Sequence, residues 1–244
     1  MHGTFDLLLV AVSYVIAVFG SYTALQLAGQ VTDLRDATNK VWLGGAAIAL
    51  GGGAIWSMHF IGMLAYKMPL PVSYDVTLTL LSMVLAIGFT GFGLYMVIRR
   101  ESLSIPVLLG SGVVMGSGVA VMHYTGMAAM RFAAVPSHDD AIVAISLVIA
   151  IVASTAALWI AFTLRKGWQK FVAAFVMGAA VCGMHYTAMS GYSFTPTGQS
   201  VEFFSAAILG NQLAGYVAGA TVVVLTLALL AVFAKELRSA QDYQ

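Results

Sequence analysis

Charge is what this 244-residue chain has least of: 9% of its residues are Asp, Glu, Lys or Arg, where soluble domains carry about a quarter. That shortage excludes a soluble globular enzyme, and a hydrophobic content of 60% excludes disorder. With 11 basic and 10 acidic residues the formal charge is +1, so there is no basic excess for a nucleic acid to meet. Cysteine is nearly absent too. Cys182 stands alone, which excludes an internal disulfide and a CxxC metal site; it is read as a small buried hydrophobe, with thiolate ligation three residues before His185 as the alternative. No Lys or Arg precedes the first apolar stretch, which follows Asp6, so that stretch is read as a retained helix and not as a cleaved leader.

What is present is length without charge. Charge-free stretches run over 7–32, 41–66, 76–98, 102–130, 141–164, 171–201 and 203–234. Each exceeds the roughly 20 apolar residues a helix needs to cross a bilayer. The expected fold is therefore all-α, a polytopic bundle of seven transmembrane helices with short connections. It divides into a membrane domain, 1–235, and a tail, 236–244, that could begin a linker to an output domain. The bilayer is the first partner this composition implies.

The loops then orient the chain. Alternate connections hold Arg35, Lys40, Arg99, Arg100, Arg165, Lys166, Lys170, Lys235 and Arg238 on one side, and only Lys67 and Arg131 on the other. Positive residues stay cytoplasmic, so the amino terminus is expected outside and the carboxyl terminus in the cytoplasm, with even-numbered helices running outward.

Self-comparison shows a repeat. GGGAIWSMHFIGMLAY (51–66), MGSGVAVMHYTGMAAM (115–130) and MGAAVCGMHYTAMSGY (177–192) share Met-His-aromatic-x-small-Met. The histidines His59, His123 and His185 recur at 64 and 62 residues, the length of two membrane helices with their connections. Each unit is thus a helical hairpin, and the three histidines fall on helices two, four and six at one depth, toward the outer end. Three imidazoles at one level exceed what packing needs, and intramembrane ionisable groups are functional by default.

A residue four positions on lies about 40° round the helix and one turn along, pairing His59 with Met63, His123 with Met127 and His185 with Met189. Met58, Met122 and Met184, next to each histidine, point about 100° away and are second-choice ligands. Imidazole with thioether and no carboxylate suits copper, above all Cu(I), better than magnesium, calcium or a hydrolytic zinc. Tyr124, Tyr186, Asn211 and Gln212 are candidates for holding an imidazole by hydrogen bonding. Gly52, Gly116 and Gly178, seven residues before each histidine, leave the inward stripe bare, and glycine-rich faces suggest that helices two, four and six form an inner layer. His2 and His138 read as solvated surface residues.

Met122-His123-Tyr124-Thr125 and Met184-His185-Tyr186-Thr187 spell the motif of the MHYT domain, a seven-helix bacterial membrane sensor module that this chain resembles over its whole length. The first copy, Met58-His59-Phe60-Ile61, lacks the Tyr and Thr, while Pro69, Pro136 and Pro196 match prolines that follow the motifs in the family. The resemblance implies a signalling input and not an enzyme. It implies copper held by Met and His near the outer side of the bacterial inner membrane, and a response to O2, CO, NO or redox state. It also implies a cytoplasmic output such as a diguanylate cyclase or phosphodiesterase of cyclic di-GMP, in cis or in trans. A homodimer is left open. Competing readings are a copper carrier, a haem protein with paired histidines, and an intramembrane zinc hydrolase. The last lacks an acid or base inside any apolar stretch.

Overall fold

The computed structural model describes residues 3–100, 102–164, 166–197 and 207–241, with the backbone alone at Ala207, Asn211 and Ala214. Among these residues are seven helices long and apolar enough to cross a bilayer. They are α1 (Leu7–Ala28), α2 (Ala37–Ala65), α3 (Val76–Ile98), α4 (Ile105–Ala128), α5 (Asp140–Thr163), α6 (Gly167–Ser190) and α7 (Gly210–Gln241). The scarce acids that bound the apolar stretches become caps: side-chain oxygens of Asp6, Asp36, Asp75 and Asp139 accept first-turn amides of α1, α2, α3 and α5. At the other end of the chain, α7 runs through Lys235, Glu236 and Arg238, so the tail as far as Gln241 continues a helix. Its 32 residues span about 48 Å, beyond the roughly 30 Å of bilayer hydrocarbon.

Short antiparallel strands close the end of the bundle that carries the motif. β1 (Thr4–Phe5) pairs with β2 (Tyr66–Lys67), β3 (Ser73–Asp75) with β4 (Met130–Arg131) and with β7 (Ala207–Leu209), and β5 (Ala134–His138) with β6 (Tyr192–Pro196). Each hairpin is therefore strand–helix–helix–strand, three times over. The two basic residues at this end are neutralised locally, Lys67 by Asp6 at 2.7 Å and Arg131 by Asp75 at 3.0 Å. The Leu78 amide and the Arg131 guanidinium hold the Asp75 carboxyl below its usual range.

From α1 to α6 consecutive helices are neighbours, and the ring closes where α6 packs on α1, with α7 lying against α1 and α2. The inner layer expected from the glycines is thus uneven. α2 is 83% buried over its most apolar window, but α4 and α6 only 44% each, because α7 covers the outward side of α2 alone. The glycines seven before each histidine receive neighbouring helices and do not leave a bare stripe. A Cβ on Gly116 would come 2.5 Å from Ile151 of α5, and one on Gly178 2.8 Å from Val18 of α1. Gly52 meets Ile87 of α3. Each even helix thereby docks on the odd helix of the next repeat in cyclic order.

One feature of α2 has no counterpart in the other helices. Ile48–Trp56 is a π-helix, a rare widened turn that is frequent at functional sites. Ser57 Oγ donates to Gly52 O at 2.8 Å and meets Thr221 Oγ1 of α7 at 2.6 Å. The widening admits α3 against Gly51 and α7 against Gly53, where added Cβ atoms would come 2.6 Å from Ala86 O and 2.8 Å from Leu225 Cδ2.

Candidate metal centre

The fold brings His59, His123 and His185 together in the middle of the ring, each at most 1% exposed. Their Nδ1 atoms form a triangle with sides of 3.1, 3.1 and 3.4 Å, and the ring planes meet edge to face at 77–86°. The point equidistant from the three atoms lies about 1.9 Å from each by plane geometry, close to the roughly 2.0–2.1 Å of an imidazole–zinc bond. One ion on that axis can touch all three nitrogens.

Hydrogen bonding among the rings cannot do the same work. A neutral imidazole nitrogen is either an N–H donor or a lone-pair acceptor. Three mutually adjacent Nδ1 atoms with two states to share must leave at least one pair alike, donor on donor or lone pair on lone pair. A cation accepts all three lone pairs and removes the conflict. The three Nε2 atoms are buried and make no hydrogen bond, as expected of groups whose arrangement is set by their inner nitrogens.

Small residues three positions after the histidines make this convergence possible. A Cβ on Gly126 would strike the His59 ring, and one on Gly62 would come 2.5 Å from His185 Nε2. The rings of α2 and α6 thus rest on the backbones of α4 and α2, and the third repeat carries buried Ala188 at the same place.

A layer of hydroxyls lies around the site. Tyr124 OH meets Ser146 Oγ at 3.0 Å and Tyr186 OH meets Ser13 Oγ at 2.8 Å. The hydroxyls of both tyrosines therefore tie even helices to odd ones. In the first repeat Phe60 has no hydroxyl, and Trp56, one turn earlier, donates Nε1 to Ser82 Oγ at 3.0 Å instead. Ser13, Ser82 and Ser146 each stand seventh in an odd helix and each donate to the carbonyl three residues before. That pattern was in the sequence as a recurring serine, and motif reading centred on histidine passed over it. Ser146→Ala and Ser13→Ala, by stranding a tyrosine hydroxyl, should each cost about 1–3 kcal/mol of stability. Ser82→Ala should cost less, since Trp56 Nε1 keeps Thr79 O at 3.2 Å; thermal unfolding in detergent ranks the three.

All six motif methionines are buried. Met63 lines an open pocket of about 440 Å3 at the strand-capped end, together with Met68, Met130 and Tyr74; burial raises the pKa of Tyr74. Met58 packs with Ala17 and Cys182, away from the axis, as its 100° offset requires. Met184 lines a cavity of about 20 Å3 on the side of the trio away from the strand-capped end, with Met115 and Met177. The residues four before each histidine, Ile55, Val119 and Val181, line it too. Gln212 is exposed at the start of α7. The Asn211 side chain and His2 lie outside what is described. His138 is exposed, 3.4 Å from Asp140. Among the described residues, the one cluster of His, Cys, Asp or Glu with metal-holding spacing is this histidine trio.

Known proteins match the chain in the same terms. The MHYT family, described as the bacterial signalling protein N-terminal repeat, matches residues 52–110 and 116–174. The chain is 45% identical over 234 residues to the bifunctional diguanylate cyclase/cyclic di-GMP phosphodiesterase MucR of Pseudomonas aeruginosa, covering 94% of this chain and 33% of that protein. It is 34% identical to the signaling protein YkoW of Bacillus subtilis, covering 83% of the chain and 26% of the relative. It is also 34% identical to the cyclic di-GMP phosphodiesterase NbdA of Pseudomonas aeruginosa, with 84% and 27% covered. The chain spans about a third or less of the length of these relatives. No solved structure matches it. Three hairpins that each deliver a Met-His motif to one axis, and relatives that are signalling proteins, make this chain a member of the MHYT family, a membrane signalling domain.

Proposed function

We propose that this domain is the sensory input of a cyclic di-GMP signalling system, that it holds one copper ion on His59, His123 and His185, and that it responds to a diatomic gas or to redox state. The observation that carries the reading is the Nδ1 triangle, whose size suits one ion and whose hydrogen bonding alone is self-contradictory. The donor set is soft: Met63, Met127 and Met189 follow one turn outward, and among the described residues no carboxylate joins the cluster. That combination favours copper over harder ions. Copper would supply two oxidation states and a coordination position left open by three protein nitrogens. The chain's own residues hold the imidazoles in register, keep water away through the buried methionines, and present the small apolar cavity. That cavity, about 20 Å3, holds one water-sized molecule but offers a water few partners, which suits O2, CO or NO.

The nine-to-two bias of basic residues supports an orientation with the metal near the outer face, and the bacterial relatives support the bacterial inner membrane as its place. The names of MucR and NbdA support a diguanylate cyclase or phosphodiesterase as the cytoplasmic partner. The continuous helix of α7 is a route from the site to that side. A differential affinity of the gas or redox state for two helix arrangements is what would drive the change.

Elemental analysis of protein purified in detergent tests this. About one copper per chain is expected, falling to background in His59→Ala, His123→Ala and His185→Ala. Copper retained by any of the three variants would refute the shared site. A second reading, copper transport, draws on Met115, Met177 and Met184 inward of the trio and Met63, Met68 and Met130 outward. Copper flux into proteoliposomes would favour it.

A further inference from the structure

Beside the metal helix runs a slot of about 290 Å3, walled by the π-helical stretch of α2, by α3 and by α7. Along α3 it extends from Val76 to Ile87 and along α7 from Leu213 to Leu225. Eleven helical steps from Val76 make it about 17 Å long, close to half of the roughly 30 Å hydrocarbon core. It begins at the strand-capped ends of α3 and α7 and stops midway along them, so it spans one leaflet. Its mouth is on the lipid side: Leu80, Tyr216 and Val224 line it and are 50%, 66% and 47% exposed. Trp56, 8% exposed, lies along it, with Nε1 already bonded to Thr79 O and Ser82 Oγ.

Among the described residues, one fully buried side-chain oxygen beside the slot has no partner. Thr79 lines it near the strand-capped end, is 4% exposed, and its Oγ1 makes no hydrogen bond. A threonine hydroxyl can always donate, and one χ1 step exchanges its Oγ1 with Cγ2. The missing partner is an acceptor oxygen, at the depth where lipid esters begin. An empty apolar slot would forfeit the dispersion contacts of every side chain along it.

We propose that this slot binds one acyl chain of a bilayer phospholipid, its ester carbonyl accepting from Thr79, and that the chain is a wedge between the metal-bearing helix and α7. The length of one leaflet, the lateral mouth and the buried, unpaired Thr79 hydroxyl toward the interfacial end select an acyl chain over a water-borne ligand. The wedge has leverage because α2 touches α7 through Ser57 and Thr221 at the slot, two residues from His59. Lipid chains that fill the slot hold α7 off α2, and shorter or absent chains let it settle, so bilayer composition becomes a second input to the same output helix. This inference stands on the slot and needs no metal.

Fluorescence quenching tests it. The chain has four tryptophans; replacing Trp42, Trp159 and Trp168 by Phe leaves Trp56 alone. In vesicles of phosphatidylcholine brominated at mid-chain, this buried indole is expected to lose more than half of its emission relative to unbrominated vesicles. Ala220→Phe, which fills the slot, should cut that quenching at least threefold while circular dichroism stays helical. Val224→Phe, placed at the exposed mouth where folding is least at risk, should act the same way. Trp56 unquenched by the brominated chains, or quenched equally in the filled variants, would overturn the proposal. Organic extraction that finds a quinone or another non-phospholipid molecule at one per chain would overturn it as well.

Discussion

A Gly126→Ala protein keeps every histidine and every motif methionine, yet it is expected to bind copper ten- to a hundredfold more weakly. The added methyl would overlap the His59 ring, lying 2.9 Å from Cδ2, where ordinary carbon contacts are longer. Relief requires the ring to move by several tenths of an ångström, and metal–ligand distances tolerate only about 0.2 Å. Groups that orient ligands are worth about 10–100-fold in affinity, which sets the expected size. Gly62→Ala should act alike through His185. Gly183→Ala is the control, because no atom lies within 4 Å of its Cβ position although it is two residues from His185. Competition against a Cu(I) chelator of known affinity reads all three. Equal affinities would mean that the rings are not held by these glycines, and the geometric account of the site would fail.

Stripping the metal from the folded protein is expected to lower its melting temperature by about 8–16 °C. Free metal at a thousand times its dissociation constant adds about 4 kcal/mol, and a chain in the size range of 150–250 residues shifts by about 2–4 °C per kcal/mol. The stripped protein is left with three crowded Nδ1 atoms and three unpartnered Nε2 atoms. Replacing all three histidines by Leu should therefore melt at or above the stripped wild type, since unsatisfied buried polar atoms are removed, and should no longer respond to copper. Calorimetry with and without a chelator separates these outcomes. A melting temperature indifferent to chelation in the wild type would mean that the trio holds no ion.

These effects show where sequence reasoning carried and where it stopped. The spacing of charges located all seven helices, since an uninterrupted apolar run in lipid has no alternative to satisfying its backbone internally. The recurrence of Met-His at 64 and 62 residues put the histidines on alternate helices, and their meeting followed from the repeat. The glycines were legible as packing surfaces but not by target: Gly52, Gly116 and Gly178 serve the neighbouring odd helices, while Gly62 and Gly126 serve the histidines. Which side of a glycine is used depends on what stands opposite it. The aspartates bound the apolar stretches in the sequence and act as caps in the fold, because a cap is defined by a backbone geometry that composition does not reveal.

The serine layer and the exchange of Trp56 for a tyrosine hydroxyl were beyond local reading. The donor sits one turn away from the residue it replaces, and its partner Ser82 lies on another helix.

Period and polarity, then, settled the number of crossings, the threefold repeat and the three imidazoles, because these depend on distance along the chain and on the dislike of charge for hydrocarbon. Packing alone decided that α2 sits innermost beneath α7, that its turn widens at Ile48–Trp56, and that the imidazoles meet by their Nδ1 atoms. Each of those outcomes depends on which surfaces face one another across the bundle, and a helix encodes its own face but not its neighbour's.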